Sequence, residues 1–468
     1  MSSVNAKQTE ALSTMPVLKL PPQVVDAYDS TCAAIFILNY GENHRYIRDL
    51  DYWIHWDGLH WEADSRAQEL HNSLNRLREG LASDSIDAHL SELRRKLSNQ
   101  RSLASIVKYL QSREELVLRS DQVDSHLHLV AFQNAIYNTD TFQYIYDPEK
   151  IRPMYMLRRM AVALDQEAKC PQWLAFLDTI FQGDQELIRY VQKAVGLSLS
   201  GLIKEERLFF AYGSGANGKS TFFEVLGRIF GSFHHEIDST ILINSRHQDQ
   251  RLALENMANL RGIRFATSNE IPERASYNDL NIKQLCSRDQ INAKVVYQSA
   301  CAFTPSHKLW IRGNHKPKFN IHDDGMLRRI CLIPFAYTIP KDERKSRFED
   351  ELLKEKKGIL NWIIQGWNLY KQEGMNDLPA TMQAAMAEYT QELDDLQRFI
   401  DEECNAGESF KTAMKDFTTA YNAWCKENSY RQSNSRELAN ELRKMGYDVT
   451  TLGNNKLYIK GLAITAST

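Results

Sequence analysis

The sequence predicts an α/β core with a largely parallel sheet, flanked by an α+β N-terminal domain and a mostly helical C-terminal region with a winged-helix-like end. Three observations predict it. From about residue 205 to 340, short apolar runs alternate with stretches of helical periodicity, the pattern of strands joined by crossover helices. Within this stretch, RLFFAYGSGANGKSTFFEVLGRIFG reads as a strand, a glycine-rich loop and a helix in succession. On either side the periodicity changes, so the core has neighbours of different character.

Residues 1–25 are polar and rich in Ser and Thr, and are expected to form a flexible tail. Residues 26–170 are expected to form the α+β domain. RYIRDLDYWIHWDGLHWEAD carries aromatic and aliphatic residues around Asp57-Gly58, a hairpin signal. Leu70, Leu74, Leu77 and Leu81, then Leu90, Leu93 and Leu97, mark helices over 66–120. Residues 126–147 alternate like strands around Asn138-Thr139-Asp140. Residues 171–204 read as two helices, a collar or oligomerisation segment, with Trp173, Phe176, Leu177 and Ile180 on one face and Leu187, Val191 and Val195 on another. The core follows at 205–340. Residues 341–468 are expected to be mostly helical to about 445, ending in two strand-like runs around Gly453-Asn454-Asn455.

The formal net charge of −3 excludes a polycation, so any nucleic-acid contact needs local basic patches or a channel built by several subunits. The seven cysteines form no CxxC pair, which argues against a zinc ribbon or finger and suits reduced thiols in a bacterial or phage-infected host cytosol. No apolar run approaches membrane-spanning length, so no membrane partner is expected.

The strongest chemical signal is Gly213-x4-Gly218-Lys219-Ser220. Glycines let the backbone curl so that its N–H groups converge on phosphate oxygens. The helix start adds partial positive charge. Gly213, Ser214, Gly215, Ala216, Asn217, Gly218, Lys219, Ser220 and Thr221 are therefore candidate ATP-binding residues. Lys219 neutralises the β- and γ-phosphates, and the Ser220 hydroxyl ligates Mg²⁺.

Three companions are expected. LRGIRFATSNEI is an apolar strand ending in Glu270, an acid placed to meet Mg²⁺ or polarise water. HKLWIRGNHKPKF delivers Asn314 to the C-terminal edge of the sheet, where an amide can sense the γ-phosphate. DGMLRRICLIPF places Arg328 and Arg329 before a strand; Arg329, which directly precedes it, is the preferred cation for a neighbour's ATP. Residues 290–310 read as strand, polar turn and strand, with the turn near Gln298–Ser299. Lys294 and Tyr297 there could meet a phosphate and stack on a base. The alternative is an ordinary hairpin with its tyrosine in the core.

In order and spacing, GSGANGKST, RFATSNE, KLWIRGNHKP and LRRICLIPF resemble superfamily 3 helicases, most closely the phage and plasmid primase-helicase branch related to the poxvirus primase-helicase. The resemblance covers about residues 45–460, with specific motifs only in 207–335. It implies an AAA+-like P-loop ATPase core and a hexameric ring with ATP at subunit interfaces. It also implies Lys219 and Ser220 on ATP-Mg²⁺, Glu270 as the Walker B acid, Asn314 as sensor 1, and Arg329 as a finger acting in trans. Lys283, Asp289 and Lys294 match the family's pattern before its channel hairpin, but Ser287 and Arg288 stand where the family has glycines. Lys283, Lys294, Tyr297 and Gln298 are the candidate nucleic-acid contacts.

The function so implied is a ring-shaped, ATP-dependent DNA helicase in phage, plasmid or mobile-element replication, acting on single-stranded or forked DNA beside other replication proteins. One alternative is an AAA+-type ATPase for origin assembly or protein remodelling without processive unwinding. A lower one is a primase-helicase, since Asp49 and Asp51 resemble a polymerase-type metal pair.

Overall fold

The computed structural model describes residues 18–20, 28–81, 87–244, 250–269, 271, 277–294, 300–317, 319, 323–428, 430, 432–452 and 456–465. Helix α1 (Asp29–Tyr40) precedes strands β1 (His44–Ile47), β2 (Tyr52–Trp56) and β3 (Trp61–Asp64). The hairpin turn forms as expected. Trp56 faces Trp61 across the antiparallel pair. Gly58 takes φ 108°, and the Asp57 carboxylate accepts from the Leu59 and His60 amides. Helices α2 (Gln68–Gly80), α3 (Ala88–Ser98) and α4 (Gln100–Leu110) bury Leu70, Leu74, Leu77, Leu93 and Leu97 against α1. Strand β4 (Val117–Leu118) then pairs parallel to β1, giving a sheet of order β3-β2-β1-β4. A second small sheet follows, made of β5 (Leu129–Ala131), β6 (Ile136–Asn138) and β7 (Tyr144–Ile145), with the short helix α5 (Pro148–Ile151) after it.

Helices α6 (Pro171–Ile180) and α7 (Gln185–Leu197) lead into the core. Its elements are β8 (Leu208–Tyr212), α8 (Lys219–Phe230), β9 (His234–Ile237), α9 (Gln250–Ala258), β10 (Phe265–Ser268), α10 (Asp279–Cys286), the antiparallel pair β11 (Ile291–Lys294) and β12 (Ala300–Phe303), β13 (Lys308–Gly313), α11 (Asp324–Leu327) and β14 (Ile330–Pro334). Five strands form a sheet of order β14-β8-β13-β10-β9, every pair parallel. Such a sheet must be covered on both faces, which is why β8 and β14 read as continuous apolar runs.

The alternation of side chains divides the core in two. Phe209, Ala211, Trp310 and Cys331 face α6, α7 and α8; Leu208, Phe210, Ile311 and Leu332 face α10. Phe209 stacks on Trp310 with ring centroids 4.5 Å apart, and Trp173 of α6 stacks on Phe222 of α8 at 5.6 Å. Residues 171–204, expected as a collar, thus lie in the same hydrophobic layer as the sheet.

Helices α12 (Phe348–Leu352) and α13 (Lys356–Glu373) complete that layer. Helix α13 crosses α7 at backbone contact. A Cβ on Gly196 would overlap the Trp367 amide nitrogen, and one on Gly366 would overlap the Gln192 carbonyl. Close crossings of this kind need glycine on both helices. Helix α14 (Ala380–Leu393) covers the other face of the sheet through Tyr389.

The end of the chain has its own core of Leu396, Phe399, Phe417, Trp424, Leu438 and Ile459. It is built from α15 (Asp395–Glu403), β15 (Cys404–Ala413), α16 (Met414–Glu427), α17 (Ser435–Lys444), β16 (Val449–Leu452) and β17 (Lys456–Ile464). The two expected strands pair antiparallel as β16 and β17, and the turn residues 453–455 lie outside the described residues. Within the stretch read as mostly helical to about 445, β15 is a ten-residue strand. CNAGESFKTA is largely exposed and lacks apolar alternation; its strand state comes from pairing with β17, some fifty residues on. Local pattern does not report such a partner.

Candidate functional site

The glycine loop leaves β8 at the C-terminal edge of the parallel sheet, and α8 starts at Lys219. Gly213 (φ 154°), Ala216 (φ 58°) and Gly218 (φ 80°) give the curl its shape. A Cβ on Gly213 would overlap the Phe335 carbonyl, and one on Gly218 would lie 2.7 Å from Ile180 Cγ2 and 3.1 Å from Phe176 Cε2. The loop is therefore wedged between the residue after β14 and helix α6, where only glycine fits.

Lys219 is 7% exposed. Its ammonium donates to the Gly213 carbonyl and to Asn217 Oδ1 at 3.1 Å. Asn217 Nδ2 in turn donates to the carbonyls of Ser214 (3.2 Å) and Phe335 (3.1 Å). Two of the lysine's contacts are thus with neutral oxygens of its own loop, which an anionic oxygen would outcompete. Ser220 stands exposed beside it, on the wall of a cavity of about 690 Å³ that Phe176, Ala216, Lys219, Thr221 and Arg344 also line.

The strand ends that carry the companions are neighbours. Gly313 pairs with Tyr212, and Ser268 with Ile311, so residues 213, 269 and 314 leave the sheet at one edge. Asn314 is exposed and shares a larger cavity, about 1310 Å³, with Gly213 and Ser214. Glu270 lies outside the described residues. Its chain neighbour Asn269 accepts from Arg312 Nε at 2.5 Å and donates to Glu236, which also accepts from Arg312 at 3.3 Å. Sequence reading missed this three-residue ring, because Glu236 of β9, Asn269 just past β10 and Arg312 of β13 are brought together only by the sheet.

Arg329 lies apart from these groups. It precedes β14 at the N-terminal edge of the sheet, opposite the glycine loop, and is 7% exposed. Its guanidinium donates to Glu206 Oε2 at 2.5 Å and to the Gly325 carbonyl at 2.6 Å, both in its own chain. Arg329 is thus packed under its own strand edge and paired within its own chain. Arg328 has a 69% exposed side chain, 3.8 Å from the same Glu206.

Lys283, on α10, pairs with Asp323. That hydrogen bond holds the Asp323 carboxyl below the usual carboxylate range. Lys294 ends β11; Tyr297 and Gln298 lie outside the described residues. Asp49 accepts from the Ser120 amide (2.7 Å) and hydroxyl, and Asp51 from the Tyr46 hydroxyl. Both carboxylates hold loops together, which counts against the metal pair. Among the described residues no group of three or more His, Cys, Asp or Glu could hold a metal ion, and no helix is long and apolar enough to cross a membrane.

In sequence the chain is similar to the phage and viral primase-helicases that its motifs resemble. Residues 33–182 match the D5 N terminal like family, and residues 211–329 match a family of unknown function, DUF5906. The helicase-named protein L207/L206 of Acanthamoeba polyphaga mimivirus is 26% identical over 236 residues, covering 47% of this chain and 24% of its own length. The helicase-named 184R of Invertebrate iridescent virus 6 is 24% identical over 277 residues, covering 57% and 28%. The chain therefore spans about a quarter of the length of the curated relatives it matches. Two apo structures of the NrS-1 C terminal region superpose with TM-scores of 0.48 and 0.47 at 10% identity, covering 90% of this chain and 96% of theirs.

Proposed function

We propose that the chain is an ATP-driven DNA helicase whose nucleotide lies in the cavity lined by the glycine loop. The observation that carries this reading is the buried Lys219, at the start of α8 beside a glycine loop that admits no Cβ at Gly213 or Gly218, on the wall of a cavity large enough for a nucleotide. A triphosphate would draw Lys219 from the Gly213 carbonyl onto its β- and γ-oxygens. Ser220 and Glu270 are the residues that would hold Mg²⁺; the hydroxyl of Ser220, a residue exposed on the cavity wall, suits a hard, oxygen-seeking cation, which when bound neutralises phosphate charge. Asn314, on the same sheet edge, would orient the attacking water.

The strand order and the site at the C-terminal edge support an AAA+-like P-loop core. The three helices and antiparallel strands after residue 394 support a winged-helix-like end. For the cation completing a neighbour's site, exposure favours Arg328 over Arg329. That role requires a ring of copies, of which a hexamer is the expected form. The pair β11 and β12 would carry Lys294, Tyr297 and Gln298 to single-stranded or forked DNA. Lys283, neutralised by Asp323, would support that pair rather than grip phosphate. Other replication proteins and a cytosolic setting belong to this reading.

The test is ATP turnover with and without single-stranded DNA, together with strand displacement on a fork, for the native chain and Lys219→Ala. Turnover that DNA stimulates, lost with displacement in the variant, is expected. Turnover indifferent to DNA, without displacement, would favour the assembly or remodelling ATPase instead.

A further inference from the structure

The wall of the smaller cavity facing the glycine loop is made by residues 339–348, outside every sequence motif. The Ile339 amide donates to the Ala216 carbonyl at 2.9 Å, pinning this segment to the crown of the loop. Arg344 Nε donates to the Ile339 carbonyl at 2.9 Å, which folds the guanidinium back over that junction. Among the described residues its two Nη groups meet no acceptor. Phe348 packs edge-to-face on Phe176, centroids 5.8 Å apart, and Phe176 touches Gly218. One end of the cavity therefore carries Lys219 and Ser220; the other pairs an aromatic wall with the charged run Asp342, Glu343, Arg344 and Lys345, in which Arg344 is tethered to the loop junction and Lys345 lies over the Phe348 ring.

The sheet order says which part of a nucleotide lies at each end. Asn314 and Asn269 leave from β13 and β10, on one side of β8; residues 339–348 follow β14, on its other side. The reacting γ-phosphate belongs toward Asn314. We infer that Arg344 is a nucleotide-binding residue of the same chain that donates to the ribose and α-phosphate oxygens, while Phe176 and Phe348 wall the base. Its fork of N–H groups, anchored through Nε and open at both Nη ends, suits phosphate and sugar oxygens. Because it contacts atoms that do not react, it stabilises the bound nucleotide and the transition state alike, and so sets affinity more than turnover. The inference rests on the reading of the glycine loop as the triphosphate site.

The experiment titrates the 468-residue chain with methylanthraniloyl-ADP and methylanthraniloyl-ATP, and follows steady-state hydrolysis. Native chain, Arg344→Ala, Arg344→Lys, Lys219→Ala and Lys341→Ala (a nearby cation off the cavity wall) are compared. Arg344→Ala is expected to weaken both nucleotides about 10-fold, and to raise KM by more than it lowers kcat. Arg344→Lys recovers part of the loss, Lys341→Ala binds as the native chain does, and the melting temperature of Arg344→Ala stays native. Unchanged affinity for the diphosphate, or a fall in kcat without a rise in KM, overturns the assignment. If the native chain binds neither nucleotide, or Lys219→Ala binds as tightly as the native chain, the loop reading itself fails and Arg344 falls with it.

Discussion

Arg329 donates to Glu206 at 2.5 Å inside its own chain, while Arg328 beside it stands 69% exposed. Adjacent residues with the same side chain thus have opposite environments. Removing Arg329 would leave Glu206 without its closest cation and open a gap beneath β14. Arg329→Ala is expected to lower stability by about 1–3 kcal/mol, read as a shift in denaturant midpoint. Arg328→Ala should leave that midpoint unmoved and suppress ATP turnover when mixed with native chains. The reverse pattern would return the trans role to Arg329.

Gly213 has no room for a methyl group against the Phe335 carbonyl. Gly213→Ala is expected to abolish nucleotide binding, because either the loop or the strand end must shift. Binding at native affinity would mean that the curl tolerates displacement and that its geometry is not what the phosphates require.

Lys316, two residues past Asn314, lies 2.8 Å from Glu388 and 3.1 Å from Glu392, successive turns of α14. The ammonium has a 15% exposed side chain and bridges the loop after β13 to the helix that leads into the C-terminal unit. Lys316→Ala is expected to cost about 1 kcal/mol and to speed protease cleavage between residues 393 and 395. The double reversal Lys316→Glu, Glu388→Lys should restore much of the protection. Equal cleavage in all three proteins would remove the bridge from any account of how the two units hold together.

His44 is buried and His234 half-buried, and they are hydrogen-bonded to Ser73 (3.0 Å) and Thr267 (2.8 Å) respectively. Desolvation pushes both imidazoles down to about 4. Each folds neutral, so the unfolded chain takes up protons first as pH falls below about 6.5. Stability from these groups is full above that pH and declines through the window from 6.5 to 4, by up to ~1.4 kcal/mol per pH unit for each. Melting temperatures between pH 7.5 and 5 measure this, and His44→Gln should flatten the slope. An unaltered slope would locate the acid sensitivity elsewhere.

Much of the core was legible because its signals are local. The apolar runs of β8, β13 and β14 name themselves, and the glycine loop carries its own spacing. The faces of α6 and α7 read correctly from Trp173, Phe176, Leu187 and Val191, all of which are buried. What they pack against did not, since periodicity reports a buried face and not its partner. Strand β15 was hidden for the same reason: its residues are small and polar, and its partner lies far along the chain. The environment of Arg329 was illegible because Glu206 approaches it from 123 positions away. Arg344 sits in a charge-rich run, KDERK, that pattern alone reads as a solvated surface.

The glycine crossing of α7 and α13 makes the segments on either side of the parallel sheet, in sequence, a single interior. A gene fragment trimmed to residues 205–340 would strip one sheet face of Trp173, Val191, Ile363 and Trp367 together, and its product would aggregate rather than fold. Recombination between related genes would have to transfer residues 171–373 as one block. The seam near residue 394, beyond which the chain has a separate interior, is where exchange of a terminal unit would be tolerated.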